Sequence, residues 1–588
     1  MASGLVTKPR LKRLSSMPER NAAEVADLLE EIGRRAAFES GNPYKAKAYV
    51  RAAESLRRLV RPLGELVREG ALQTIPGVGA AIAKRIESLH RGDTDESLER
   101  MRAKLPAGLL GLLAIPRLRS GTILKLNHLL DVTSVEDLAA ACREGRVAAT
   151  KGLGAALERK ILQGLKIASE GEGRLRMNPA QAILDQTIAE LKRLRPALRK
   201  ITIAGDLRRA CELVSDLRLV TVDPKATAVE EKRFGPVTLH TGPAARYGAM
   251  LLHATGSERH LAQLSALARK QGLSLNRDSL RRGTRKVSTP REEDIYKALG
   301  LSFIPPELRE GTDEIALAAK DALPELVALN DLRGLVHLHT DFSDGANTLE
   351  EMAEGARERG YTYLGVADHS HSAHYAGGLK LDEIDTQHEM IDALNRRYRG
   401  RFRILKGIES DILADGSLDY PPDVLKRFDF IVASVHSRFK MTRGEQTKRI
   451  ITAVSNPYTT ILGHMTGRQL LRRPGYDVDV EAILKACANH GVAVEINGST
   501  WRLDLDWRWH RKALELGCML SINPDAHSIA ELDLVRWGLA VARKGGVPRD
   551  RVLNALSLEH ILQHLRDRAA SRAQNRRAGS RRRSQSFA

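Results

Sequence analysis

Between Gly334 and Leu565 the chain repeats one pattern: a short apolar run that stops on histidine, aspartate or glutamate, then an amphipathic helical stretch. The runs include YLGVADHS, ILKGIES, FIVASVHS, ILGHM, VAVEING and MLSINPDAHS. Strand–helix alternation at this pitch predicts a barrel of parallel strands wrapped by helices. Sites in such barrels are built where the strands end. The polar residues at those ends are His337, His339, Asp344, Asp368, His369, Glu409, His436, His464, Asp525 and His527. Carboxylates and imidazoles are costly to bury without cations, so the set predicts a multinuclear metal centre. No cysteine belongs to it, which excludes thiolate chemistry, and mixed imidazole and carboxylate suits zinc, manganese or iron. Closely spaced cations stabilise both the attacking and the leaving oxygen at phosphorus. Phosphoester hydrolysis is therefore the expected reaction, with amide hydrolysis on an amidohydrolase-type barrel as its chemical rival.

The remainder of the chain points to a polyanion. Lys and Arg total 93 against 73 Asp and Glu, a formal net charge of +20, and nucleic acid is the usual partner of such a balance. The segment IPGVGAAIAKRI at 75–86 recurs as TKGLGAALERKI at 150–161 and, more weakly, as IPRLRSGTILKL at 115–126. Two short helices joined by G-x-G make a helix–hairpin–helix. Its glycines, here Gly77, Gly79, Gly152 and Gly154, permit a tight turn that leaves backbone N–H groups facing a DNA phosphate without reading sequence. Lys84 and Arg85 follow on the first hairpin's second helix. The middle copy has Arg117 and Arg119 in place of glycines and is not expected to cradle phosphate through its backbone. Four scattered cysteines with no C-x-x-C pair argue against a disulfide framework or zinc finger and favour a reducing cytoplasm. No run of eighteen uncharged apolar residues suggests a membrane span, and the basic start lacks the apolar core of a secretion signal.

These features predict a multidomain chain. A basic tail (1–18) precedes an N-terminal helical domain with a hairpin (19–95), then a helical region with one degenerate and one intact hairpin (96–170). A small α/β unit (171–305), a proline-marked linker (306–333), the barrel (334–565) and a basic disordered tail (566–588) follow.

The motifs HLHTDFSDG (337–345), ADHS (367–370), GIESDIL (407–413), ASVHS (433–437), GHMTGR (463–468) and NPDAHS (523–528) resemble those of the PHP (polymerase and histidinol phosphatase) domain. IPPELREGTDEI (304–315) and EINGSTWRLDL (495–505) extend the resemblance to bacterial family X DNA polymerases with a C-terminal PHP domain, over nearly the whole chain. The resemblance implies a distorted (β/α)7-type barrel holding up to three divalent metals, manganese or zinc or iron. By it, His337, His339, Glu409 and Asp525 hold one metal. Glu409 bridges to a second, also held by His436, and Asp344, His369, His464 and His527 hold a third. It further implies a 3′–5′ exonuclease and 3′-end-processing phosphodiesterase, with Glu409, Asp525, His436 and Arg468 catalytic and with Arg468 and Arg502 as phosphate contacts. Met465 departs from the family's usual proline.

The resemblance also implies that 96–170 is fingers-like and that 171–305 is a polymerase-like palm and thumb, and this half departs further. In GDLRRACELVSDLRLV (205–220) Asp216 matches the family's first catalytic aspartate, Arg218 stands where the second belongs, and Thr238 falls near the third. Two-cation nucleotidyl transfer needs a carboxylate cluster. A degenerate polymerase site is therefore expected, retained as a DNA-holding scaffold. The family's lyase lysine aligns with Arg85, which is no amine nucleophile, so lyase activity is not expected either. The expected protein is a DNA-repair nuclease: a monomer acting on gapped or 3′-ended DNA irrespective of sequence, in the bacterial cytoplasm at the nucleoid, with no membrane association. The alternatives are an active gap-filling polymerase with an attached exonuclease, a non-catalytic DNA-binding protein and a small-molecule phosphatase.

Overall fold

The computed structural model of the protein describes residues 19–39, 43–57, 59 and 61–568. The expected basic tail at 1–18, and 569–588 of the expected C-terminal tail, lie outside the described residues. Residues 566–568 of that tail continue a helix over 558–568. The chain divides into two compact units, Met1–Glu172 and Gly173–Ala588.

The first unit is all helical in its described residues. Helix Ala22–Ala36 begins on a capping box, with the Asn21 side chain accepting from Glu24 N and Glu24 reaching back to Asn21 N. Val25, Leu29 and Ile32 form one buried stripe, which packs with Ala52, Leu56, Ile86 and Leu89. A second cluster joins Leu112, Ile123, Leu126, Leu138 and Ile161. The three hairpin turns lead into helices Ala80–His90, Ser120–Leu130 and Ala155–Gly171.

In the second unit, residues 199–242 form a four-stranded sheet in the order Arg199–Ala204, Arg218–Val222, Val237–Gly242, Glu230–Phe234. Helix Tyr247–Thr255 packs against it. A three-stranded antiparallel sheet over 273–287 follows, with its own apolar cluster around Leu264, Leu280, Ile295 and Ile304. The expected linker at 306–333 departs from a free connector. Its first part packs into this cluster through Leu308, Ile315 and Ala318, and Arg309 and Glu314 are buried there on Glu292 and His260.

The barrel comprises seven parallel strands in sequence order: β1 (Gly334–Leu335), β2 (Tyr363–Val366), β3 (Arg403–Asp411), β4 (Phe430–Ser434), β5 (Ile461–Leu462), β6 (Ala493–Asn497) and β7 (Leu520–Asn523). A parallel bridge between Leu338 and Ala526, just beyond β1 and β7, nearly closes the ring. The strands read as apolar runs because both faces are covered: Leu364, Ile404, Val432, Val494 and Leu520 are fully buried. Phe430 projects against β2 and β3. A Cβ at Gly407 would lie 2.2 Å, and one at Gly365 2.7 Å, from its ring, so both positions take glycine. Leu553, Ile561 and Leu565 pack with Val336, Tyr363 and Leu405 in one apolar cluster, leaving the C-terminal ends of the strands to carry the polar groups.

Candidate metal centre

The polar residues converge at that end of the barrel. His337 and His339 follow β1, His369 follows β2, Glu409 lies within β3, His436 follows β4, His464 follows β5, and Asp525 and His527 follow β7. Three donor groups result: His339, Asp344, His369 and His527; His337, His339 and Asp525; and His369, Glu409 and His436. Within each group the ligand atoms lie within 4.8 Å of one another. His339 and His369 are each shared between two groups, so the sites adjoin.

The chemistry of the donors fits divalent cations. His337 Nε2, His339 Nδ1, His369 Nδ1, His464 Nδ1 and both Glu409 oxygens are buried without a hydrogen-bond partner, which native interiors rarely tolerate. The imidazoles and carboxylates compensate one another electrostatically. Burial disfavours the charged Glu409, yet His436, His337 and His369 hold it well below the usual glutamate range. Burial likewise opposes charge on His436, but Glu409 and Asp411 raise it to about 9. Burial, with His369 and His527 beside it, drives His339 down to about 3.

The expected third set needs correction in one member. His464 Nε2 lies 3.0 Å from Glu409 Oε1, and its ring neighbours are His337 and His436. β5 brings it up between β4 and β6, whereas Asp344, His369 and His527 follow β1, β2 and β7. His464 therefore completes the Glu409 side, and His339 takes its place beside Asp344. Asp368 is also not a ligand: it accepts from Thr340 N, Thr340 Oγ1, Ser343 Oγ and Gln387 Nε2, pinning the loop after β1.

Arg468 does not serve as an open phosphate contact. Its guanidinium pairs with Glu212 and with Asp506 (2.7 Å) and donates to the carbonyls of Arg502 and Leu503. It thus ties the barrel to the segment preceding the palm strand Arg218–Val222. Arg502 is placed differently, with Nε 3.5 Å from Asp525 Oδ2.

Two further carboxylates belong to the centre. Glu495, fully buried in β6, accepts from His337 Nδ1 (2.5 Å), His464 N (2.7 Å) and Asn523 Nδ2 (3.0 Å). Asp411 takes His436 Nδ1 at 2.6 Å. Each fixes its imidazole with Nε2 toward Glu409, at 3.4 Å for His337 and 3.3 Å for His436. The sequence signals were present: a lone acid inside the apolar run VAVEING, and an acid two residues after Glu409 on the same strand face. Tyr375, 71% exposed, stands at the rim with its ring 6.0 Å from His369 and 6.3 Å from His436.

The hairpins keep the expected turns. Gly77, Gly152 and Gly154 have φ of +81°, +90° and +82°. Gly79 and Gly154 are helix N-caps without side-chain hydrogen bonds, so the first-turn N–H groups are not capped from within. Arg117 takes φ of +67°, so the middle copy makes the same turn despite its side chains. Lys84 is exposed. Arg85 is held internally by Tyr49, Asp95 and Ser97, which corrects its expected role as a DNA contact.

In the palm, Arg218 and Thr238 are register partners on adjacent parallel strands. Asp216 Oδ1 accepts from Asp206 N (3.0 Å) and Oδ2 pairs with Arg218 Nε (2.7 Å). Glu231 lines the same cavity as Arg218 and Thr238, whereas the other neighbouring carboxylates are engaged elsewhere. Asp206 holds Ser215 and Arg209, Glu212 holds Arg468 and Arg508, and Asp223 pairs with Arg195.

Comparison with known proteins agrees with this architecture. Family profiles match as a helix–hairpin–helix domain at 20–94, a SAM-like helix–hairpin–helix tandem at 110–166, a DNA polymerase beta thumb at 250–310 and a PHP domain at 336–499. The chain is 33% identical over 565 residues to the DNA polymerase/3′-5′ exonuclease PolX of Bacillus subtilis, spanning 92% of this chain and 98% of that protein. A probable phosphatase of Thermoanaerobacter sp. is 30% identical over 249 residues, 40% of this chain and 94% of the phosphatase. One from Vibrio parahaemolyticus is 27% identical over 228 residues, 37% of this chain and 87% of its own length. With hairpin modules, polymerase-type thumb and metal-ligand barrel in one order along the chain, the protein belongs to the bacterial family X DNA polymerases that carry a C-terminal PHP domain.

Proposed function

We propose that the protein is a metal-dependent phosphodiesterase that trims or unblocks 3′ ends of DNA, and that its polymerase core holds DNA without synthesising it. The observation that carries this reading is the set of three adjoining donor groups, one of them built on Glu409, whose buried oxygens are ringed by imidazoles yet accept no hydrogen bond. His337, His339 and Asp525, with Glu409 beside them, would hold one cation, Glu409, His436 and His464 a second, and Asp344, His369 and His527, with His339 in reach, a third; manganese, zinc and iron all suit these donors. Bound cations supply Lewis-acid polarisation of the phosphoryl group and neutralise charge at the attacking and leaving oxygens.

The chain's own residues set the stage for that chemistry. Glu495 and Asp411 accept from Nδ1 of His337 and His436 and turn Nε2 inward, where loss of the Nε2 proton would offer its lone pair to a bound cation. Arg502, beside Asp525, donates to a non-bridging oxygen of the scissile phosphate and orients it. Tyr375 at the rim offers a ring on which the terminal base stacks. The hairpins grip the sugar–phosphate backbone, so gapped or 3′-ended DNA binds irrespective of sequence. Among the described residues no helix is long and apolar enough to cross a membrane. Action as a monomer on the bacterial nucleoid, in the cytoplasm, accords with the basic charge.

The test is an end-labelled gapped duplex incubated with Mn²⁺, with and without dNTPs. Wild type shortens the 3′ end or removes a 3′ block. His339→Ala and Asp525→Ala lose this activity by at least about 10³-fold, the scale of removing a group that acts as part of a catalytic unit, while their DNA affinity in EDTA stays unchanged. Cleavage undiminished in both variants would overturn the proposal.

A further inference from the structure

The degenerate palm is not merely an emptied site. Over its sheet lies a cavity of about 280 Å³ whose polar lining includes Arg218, Glu231, Thr238, His240, His253 and Arg277. The two positions where the sequence lost carboxylates, 218 and 238, are adjacent in register and both face this cavity. Formal charge at 216, 218 and 238 sums to zero, where a two-cation carboxylate cluster would carry about three negative charges. Arg218 and Arg277 line the cavity beside a single carboxylate, Glu231.

Independent groups point into the same space. His240 is 8% exposed, and its Nε2 is buried with no hydrogen-bond partner; Nε2 of His253 is likewise buried and unpartnered. Such nitrogens in a polar cavity are poised for a ligand atom. Burial first, then Arg277 outweighing Asp278, depress the His253 imidazole to about 4, so the ring is neutral.

We propose that this cavity binds a phosphate group directly, without a divalent cation. Guanidinium forks match phosphate oxygens geometrically and stay charged at every accessible pH. Arg218 pairs with Asp216 through Nε, and no second ion-pair partner is found for it among the described residues. Arg277 is 61% and Glu231 42% exposed in their side chains, and a pair so exposed is worth only about 0–1 kcal/mol. A phosphate therefore displaces Glu231 from Arg277 at little cost. Glu231 also lies 3.5 Å from His240 Nδ1, which directs the unpartnered Nε2 away from Glu231. Thr238 adds a hydroxyl donor. The phosphate is that of a free nucleotide or of a DNA terminus, and both present the same dianion to the two arginines.

The test uses the full chain in EDTA, which also silences the nuclease. Inorganic phosphate, a deoxynucleoside 5′-monophosphate, and one oligonucleotide duplex with and without a terminal 5′-phosphate are titrated calorimetrically. At least one phosphate probe should bind, and Arg218→Gln and Arg277→Gln should each weaken it about tenfold. Both positions are partly exposed, and unchanged Mn²⁺-dependent cleavage of unphosphorylated DNA shows that each variant is folded. Tighter binding of the 5′-phosphorylated duplex, lost in Arg218→Gln, assigns the cavity to DNA ends; tighter monophosphate binding assigns it to free nucleotide. Absence of binding by every probe in EDTA, whether or not a parallel titration with excess Mg²⁺ restores it, or binding indifferent to both substitutions overturns the proposal.

Discussion

Glu495 shows how a single residue governs the centre without being one of its nine proposed ligands. It is fully buried between His337, His464 and Asn523. Burial opposes its charge, and His337 overcomes that opposition. Glu495→Gln keeps the volume but cannot accept from His337 and both amide neighbours as a carboxylate does. The Mn²⁺ concentration for half-maximal cleavage should rise about 10- to 100-fold, and DNA affinity in EDTA should not move. A metal requirement identical to wild type would show that Glu495 serves packing alone. The histidines and the strand-end acids were legible in the sequence because few structures other than a cation site tolerate so many such groups together. Glu495 and Asp411 were not singled out, because one acid in an apolar run carries no partner information until the strands are in register. His464 was legible as a ligand but not by group, since which cation a side chain meets depends on its strand's place around the ring. Arg468 and Arg85 failed as expected contacts for a related reason: an arginine's partners are set by tertiary approach, here Glu212 and Asp95.

At the scale of elements, the palm strand Arg218–Val222 and the thumb cluster make opposite uses of arginine. In the palm, Asp216 is the sole carboxylate of the expected triad and both its oxygens are engaged. No primer extension should occur with Mg²⁺ or Mn²⁺. Arg218→Asp alone should not restore it, because Thr238 leaves the third ligand missing; templated incorporation by wild type, lost in Asp216→Ala, would reverse this reading. In the thumb, Arg309 is fully buried on Glu292, which also receives Arg208. Burial raises the Glu292 carboxyl, but Arg309 and Arg208 together hold it below its ordinary value of 4.5. A depressed folded value means that this stabilisation is complete above about pH 4.5 and is lost as pH falls through the folded value. Glu292→Gln should therefore destabilise the protein by about 3 kcal/mol at pH 7, because it leaves buried guanidinium charge unpaired. The gap to wild type should shrink below pH 4 in urea unfolding; a gap independent of pH would mean that volume, not charge, is lost. The alternation of strand and helix in the barrel was readable from apolar period, and the hairpin turns from G-x-G. The role of 306–323 was hidden, because Pro306 and the flanking Pro305 and Pro324 mimic a connector while Leu308, Ile315 and Ala318 supply a core that only the fold assembles.

Across the whole molecule the barrel and the hairpins lie in separate compact units, so the proposed chemistry and the hairpins' share of the proposed grip on DNA should be separable by mutation. Gly79 offers a clean handle. It is the N-cap of Ala80–His90 with φ of −85°, which any residue adopts, and a Cβ there would meet nothing within 4 Å. Aspartate is a favoured N-cap and complements the helix dipole, so Gly79→Asp should leave the helix intact or stabilise it by a few tenths of a kcal/mol. The same carboxylate would occupy the N–H groups that a DNA phosphate needs and would repel that phosphate at close range. Two like charges 4 Å apart near a protein surface cost about 4 kcal/mol before salt screening. A net loss of about tenfold in affinity for gapped DNA at 0.1 M salt, roughly 1.4 kcal/mol, is the expected outcome. The slope of log affinity against log salt should become shallower by about one phosphate's worth, near 0.9. Hydrolysis of a small chromogenic phosphodiester with Mn²⁺ should be untouched, since that substrate needs only the barrel, whereas KM for DNA should rise with kcat preserved. Thermal unfolding at or above wild type, together with weakened DNA binding, would separate grip from fold. Undiminished DNA affinity in Gly79→Asp would mean that the first hairpin turns its N–H groups to something other than the backbone of DNA.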